Sequence, residues 1–209
     1  MAGNKQKVIF YIDGFNFYFG LKSKKWKKYY WLDIVPFCNQ FLKPHQELVE
    51  VHYFSAIPTN TDGDQERQDL FFSANKLNPK FNLHLGKFME KSKKCNSCGA
   101  TYKTFEEKET DVNIATNMIR DVVQKNCSIS ILISADSDLI PPINFIREHD
   151  PSHRIMVYFP PNRFSFDLKN KANVYLKLES HKDKFEKAIL PEEITLSNGY
   201  ILKKPKHWK

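Results

Sequence analysis

The stretch Ile129–Pro142, ISILISADSDLIPP, sets an apolar run against two aspartates that stand two residues apart. Ile129–Ala135 carries no charge, which marks a strand buried on both faces of a parallel sheet. Asp136 and Asp138 follow at its carboxyl end. A helix is expected over Ser137–Glu148, with Pro141 and Pro142 in its first turn, where a missing N–H costs nothing. Strand, acidic turn and helix together make one unit of an α/β fold.

The same alternation extends both ways along the chain. Lys7–Ile12 (KVIFYI) reads as a first buried strand that ends at Asp13-Gly14, and Phe15–Leu21 as a short helix. After the lysine-rich loop KSKKWKKYYW, Asp33 can cap a helix over Ile34–Leu42. Leu48–Ala56 is a second strand. The polar segment PTNTDGDQERQD leads into a helix that ends near Asn78-Pro79, and Phe81–Met89 alternates like a strand close to the sheet edge. From Thr110 to Gln124, the residues Ile114, Ala115, Met118, Ile119 and Val122 form one helical stripe. Arg154–Phe159 is a further strand, and Ala172–Leu178 a sixth or a short edge. The expectation is an α/β chain with a mostly parallel central sheet of about five or six strands and helices on both faces. Residues 1–180 form one domain with an insertion at about 90–108, and 181–209 form a charged C-terminal tail.

The 209 residues are 41% hydrophobic, enough for one sizeable core. A net charge of +8 favours a polyanionic partner such as nucleic acid. No run of about eighteen apolar residues exists and the N-terminus lacks a signal-peptide pattern, so the reading is a soluble cytoplasmic protein without membrane contact. Four cysteines, Cys38, Cys95, Cys98 and Cys127, are too sparse for a disulfide framework.

In parallel α/β sheets, ligand chemistry gathers at the carboxyl ends of strands. Asp13 ends the first strand, Asp136 and Asp138 follow the fourth, and Asp111 sits in the first turn of the helix that carries the stripe. Four carboxylates at one edge repel one another unless a cation sits among them. Hard ions such as Mg²⁺ or Mn²⁺ take oxygen ligands and bridge to phosphates, which suits phosphodiester hydrolysis by a metal-activated water. Asn16, one turn after Asp13, adds a further polar group. Each acid alone also reads as a turn or helix-start residue. Thr110 and Ser134 flank the acids and could hydrogen-bond the carboxylates or a bound water, but a helix cap and a small strand residue are the preferred readings.

Four blocks, YIDGFNFYFGL, EEKETDVNIATNMIRD, ISADSDLIPPINFIRE and FPPNRFSFDLKNKAN, together resemble the NYN domain family, PIN-like nucleases that include the LabA-like proteins. The resemblance runs in order from about Lys7 to Leu178. It implies a PIN-like three-layer α/β/α sandwich and a metal-dependent ribonuclease site. It places the family's acids on Asp13, Asp111, Asp136 and Asp138, and its asparagine on Asn16.

The segment Lys22–Trp31 mixes cations with rings, so Lys24 and Trp26 are candidates for holding phosphates and stacking on unpaired bases of single-stranded or structured RNA. Lys108 and Arg163 are further candidates for a phosphate. Cys95 and Cys98 have the spacing of half a structural zinc site. His84 or a second copy of the chain could complete it, and a redox pair is the alternative. Three functions compete: a Mg²⁺- or Mn²⁺-dependent ribonuclease, an RNA-binding module without turnover that acts through a homodimer or protein partner, and a small-phosphate hydrolase.

Overall fold

Every residue from Val8 to Asp13 is buried in strand β1 (Gln6–Asp13), as a strand covered on both faces requires. In the computed structural model, which describes residues 5–57 and 63–208, the chain continues through α1 (Gly14–Ser23), α2 (Ile34–Asn39), β2 (Gln46–Ala56) and α3 (Asp64–Asn75). It then forms β3 (Phe81–Lys94), β4 (Thr101–Lys108), α4 (Thr110–Val123), β5 (Ile129–Ile133), α5 (Ile140–His149) and β6 (Arg154–Phe159). Last come α6 (Phe166–Lys171), β7 (Val174–Lys177), α7 (Lys182–Lys187) and the small hairpin β8 (Glu193–Thr195) and β9 (Ile201–Lys203). Residues 58–62 of the polar linker lie outside the described residues.

The main sheet has seven strands in the order β4-β3-β2-β1-β5-β6-β7. All neighbours are parallel except β3 and β4. Strand alternation divides the core in two. Val8, Phe10 and Ile12 face one layer with α1, α2, α3 and α7, while Ile9 and Tyr11 face the other with α4, α5 and α6. The α/β sandwich is thus as expected. The strand count rises because the insertion at about 90–108 pairs with β3 as a strand of its own. No helix among the described residues is long and apolar enough to cross a membrane.

The structure differs from the sequence reading after residue 180. Phe185 of α7 has 0% exposure and its ring centroid lies 4.6 Å from Phe37, 5.3 Å from Tyr29 and 5.6 Å from Trp26. Leu190 and Leu202 are buried with it, and Trp31 Nε1 donates to Pro191 O at 2.7 Å. The segment read as a charged tail therefore covers one face of the core. Its apolar residues are too widely spaced to show a period, and their partners lie far away in sequence.

Candidate active site

The chain winds outward from β1 to β2 and β3 in one direction, and from β5 to β6 and β7 in the other. The carboxyl ends of β1 and β5 flank this switch point, the crevice where open α/β sheets bind ligands. Ile12 pairs with Ile133, so Asp13 comes to lie beside Ser134. Both are one step out of phase with Ile12 and Ile133, and therefore face the layer that contains α4.

Asp13 is 4% exposed and caps α1. Its Oδ1 accepts the Asn16 N–H at 2.9 Å, and its Oδ2 accepts Asn16 Nδ2 at 2.9 Å and Ser134 Oγ at 2.8 Å. Burial raises the Asp13 pKa above the usual carboxylate range, these donors pull it down, and the charge of Asp136 adds to the rise. Ser134, fully buried, also accepts the Asp136 N–H at 3.0 Å. Asp136 in turn accepts the Asp138 N–H at 3.0 Å and so opens the turn before α5. One hydroxyl thus ties the end of β1 to the acidic turn after β5.

Asp111 reaches the same place from α4. The side chain stays exposed to solvent, yet partial desolvation and then the charges of Asp136, Asp13 and Asp138 push its carboxyl up to about 6. All four acids and Asn16 share one neighbourhood. Thr110 is the first residue of α4 rather than its cap, a place taken by Glu109 at φ 75°. A Cβ on Gly86 would stand 2.5 Å from Lys108 O and 2.7 Å from Thr110 Oγ1, so only glycine lets β3 pass this close to the start of α4.

Among the described residues, no three His, Cys, Asp or Glu side chains form a ready metal cage. Magnesium-type sites use one or two carboxylates and several waters, so an all-oxygen set under mutual repulsion fits a hard divalent cation without such a cage.

The basic candidates fall elsewhere. Lys24 caps the far end of α1 from Asp13, roughly 15 Å away at 1.5 Å per residue, and pairs with Glu179 at 2.9 Å. The half-buried Trp26 ring packs edge-on against Tyr29 and Phe185. Arg163 is exposed in the turn after β6, and Lys108 is exposed at the end of β4. His84 hydrogen-bonds His52 at 2.9 Å, and Asp121 and Tyr11 continue this buried network. With Cys95 ten or more strand residues further on, roughly 30 Å away, His84 cannot share an ion with it in the same chain.

The structure adds aromatic groups that the sequence reading passed over. A cleft of about 310 Å³ on the α1 side of the sheet is lined by Gly14, Phe15, Tyr18, Phe19 and Phe88 among others. Lys22 Nζ lies over the Tyr18 and Phe19 rings at 5.9 and 5.6 Å. Phe15, Tyr18, Phe19 and Lys22 follow the spacing of a single helical face, the signal that could have singled them out.

Comparison with known proteins agrees with this architecture. Residues 7–179 match the model of the NYN domain. A curated relative, the 6-hydroxy-3-succinoylpyridine 3-monooxygenase HspA of Pseudomonas putida, is 23% identical over 66% of this chain. The chain spans 55% of that protein's length. A crystal structure of a Vibrio parahaemolyticus protein of unknown function superposes with a TM-score of 0.55 at 17% identity, covering 84% of this chain and 94% of that one.

Proposed function

Because the chain belongs to the NYN domain family, generally a nuclease family, we propose that it is a Mg²⁺- or Mn²⁺-dependent endoribonuclease acting on single-stranded or structured RNA. The observation that carries this reading is the meeting of Asp13 with the acidic turn of Asp136 and Asp138 at the switch point through Ser134 Oγ, with Asp111 close enough to feel their charges. These four carboxylates would hold the ion, which supplies an activated water and offsets charge on the leaving oxygen. Asn16 and Ser134 hold Asp13 in place, and Ser134 also fixes the acidic turn. The cleft beside Gly14 would take unstacked bases between aromatic rings, with Lys22 at its rim for a phosphate. Lys108 and Arg163 are further candidates for the backbone, while Lys24, paired with Glu179, and the half-buried Trp26 lie at the far end of α1 from Asp13. The hydroxylation named for the Pseudomonas protein stays with that protein.

The test is cleavage of 5′-labelled single-stranded RNA in Mn²⁺, lost on chelation and regained when Mn²⁺ is returned, with 5′-phosphate and 3′-hydroxyl ends. The aromatic cleft with Lys22 among its lining residues, which needs no ion to hold a strand, favours a second reading, binding without turnover. That reading predicts salt-sensitive RNA binding in chelator with no cleavage under any condition. Both place the protein in the cell interior, where RNA is found.

Two outcomes test how the site is held. Ser134→Ala keeps the strand but releases both hydrogen bonds, and is expected to lower cleavage about 10- to 100-fold with the Mn²⁺ requirement retained. Unchanged activity would mean that the bridge is structural only. Asp111 has a higher pKa folded than unfolded, so its favourable contribution is present below about pH 4 and lost as pH rises through about 6. A divalent ion relieves the repulsion only above that range. Mn²⁺ is therefore expected to raise the thermal midpoint more at about pH 7.5 than at about pH 5. Asp111→Asn should raise the metal-free midpoint at the higher pH and shrink the Mn²⁺ shift. Equal shifts at both pH values would contradict the coupling.

A further inference from the structure

From Phe81 to Gly86, β3 pairs with β2, but from Lys87 to Lys94 its partner is β4 alone. At about 3.3 Å per residue, this hairpin carries its tip roughly 25 Å beyond the last β2 pairing. The tip is Cys95-Asn96-Ser97-Cys98-Gly99. Cys95 N–H donates to Ala100 O at 2.8 Å, Gly99 N–H donates to Cys95 O at 2.9 Å, and Gly99 turns left-handed at φ 73°. The Cys95 thiol is held below its ordinary range by the backbone and side chains of Cys98 and Ser97. Both thiols are free, and Cys98 is exposed.

Two adjacent sulfurs on a tight turn closed by glycine make half of a tetrahedral thiolate site. Redox-active pairs of this spacing sit at helix N-termini, where the dipole activates a thiolate, whereas this pair joins two strands. A structural zinc site takes four ligands. Among the described residues the hairpin tip offers two: the nearest acid along β3, Glu90, stands five residues from Cys95, roughly 16 Å away. No group of three ligating side chains occurs among the described residues.

We propose that two copies of the chain join tip to tip through one zinc ion held by Cys95 and Cys98 of each. A two-fold axis through the ion presents the same pair from both copies, so the tetrahedron closes with no other protein. Each thiol that binds gives its proton to solvent. Four thiolates around Zn²⁺ leave a net charge of about −2, which the exposed Lys93 and Lys94 on the last rungs of each hairpin offset. Without the ion the same lysines repel, so association depends on the metal. The proposal stands apart from the nuclease reading, since it uses none of the four aspartates.

The experiment takes the full chain, purified without a histidine tag in reducing buffer, and measures zinc by mass spectrometry and molar mass by light scattering. The expected result is about one zinc per two chains in a dimer, which a chelator converts to monomer and added zinc restores. Co²⁺ in place of zinc should give the visible bands of a tetrahedral four-thiolate site. Cys98→Ser should be a zinc-free monomer with the thermal midpoint of its metal-stripped parent. One zinc per monomer, less than about a tenth of an equivalent of zinc, a Cys95–Cys98 disulfide, or a dimer that persists in Cys98→Ser would each overturn the proposal.

Discussion

Cleavage of single-stranded RNA in Mn²⁺ is expected to fall at least about 100-fold on Asp136→Asn, while RNA affinity in chelator stays close to that of the parent and the thermal midpoint does not fall. Asp136 is the cleanest of the four acids to change. Its local duty is to accept the Asp138 N–H at 3.0 Å, and the carbonyl oxygen of asparagine can do the same. The turn before α5 is therefore kept and only the charge is removed. Asp13 is a poorer probe, because both its oxygens are committed to Asn16 and Ser134, and an amide there sets a donor against donors. Loss of the Asp136 charge should also bring the Asp111 carboxyl back toward the usual range, since Asp136 is the strongest of the three charges acting on it. Rates are to be compared on one labelled substrate, with binding followed by fluorescence anisotropy. Equal cleavage by parent and variant would point to a contaminating nuclease and remove the proposed mechanism.

Asp13, Asp111, Asp136 and Asp138 were legible in the sequence because each stands at the end of a run with a clear period. An apolar strand stops before Asp13 and before Asp136, and the stripe of α4 starts just after Asp111. Ser134 was not legible in the same way. Its bond to Asp13 spans 121 positions and depends on β1 and β5 being neighbours, which no local pattern states. Trp26 follows the same logic: a ring among lysines looks fully exposed until Phe185, from the far end of the chain, packs against its edge. The strand β4 was hidden by its composition. Thr101–Lys108 is mostly polar and charged, and it pairs with β3 along its whole length.

Phe185→Ala is expected to destabilise the protein by about 3–5 kcal/mol in urea unfolding, an effect out of proportion to the charged segment that carries it. Phe185 has 0% exposure and lies among Phe17, Trp26, Tyr29 and Phe37, rings from α1, the lysine-rich loop and α2. Truncation leaves a void lined by stiff aromatic rings that cannot collapse to fill it, which places the cost toward the upper end of the range. The consequence reaches the site through α1, whose first turn presents Asn16 to Asp13 and whose later turns carry Phe17 and Leu21 into this cluster. A loosened α1 lets Asn16 drift from Asp13, so cleavage should fall along with stability. At a temperature where the variant is still folded, that loss should be smaller than the loss on Ser134→Ala, because Ser134 touches the carboxylate and Phe185 acts on it only through a helix. A midpoint close to that of the parent would show that residues 181–209 rest on the core without supporting it.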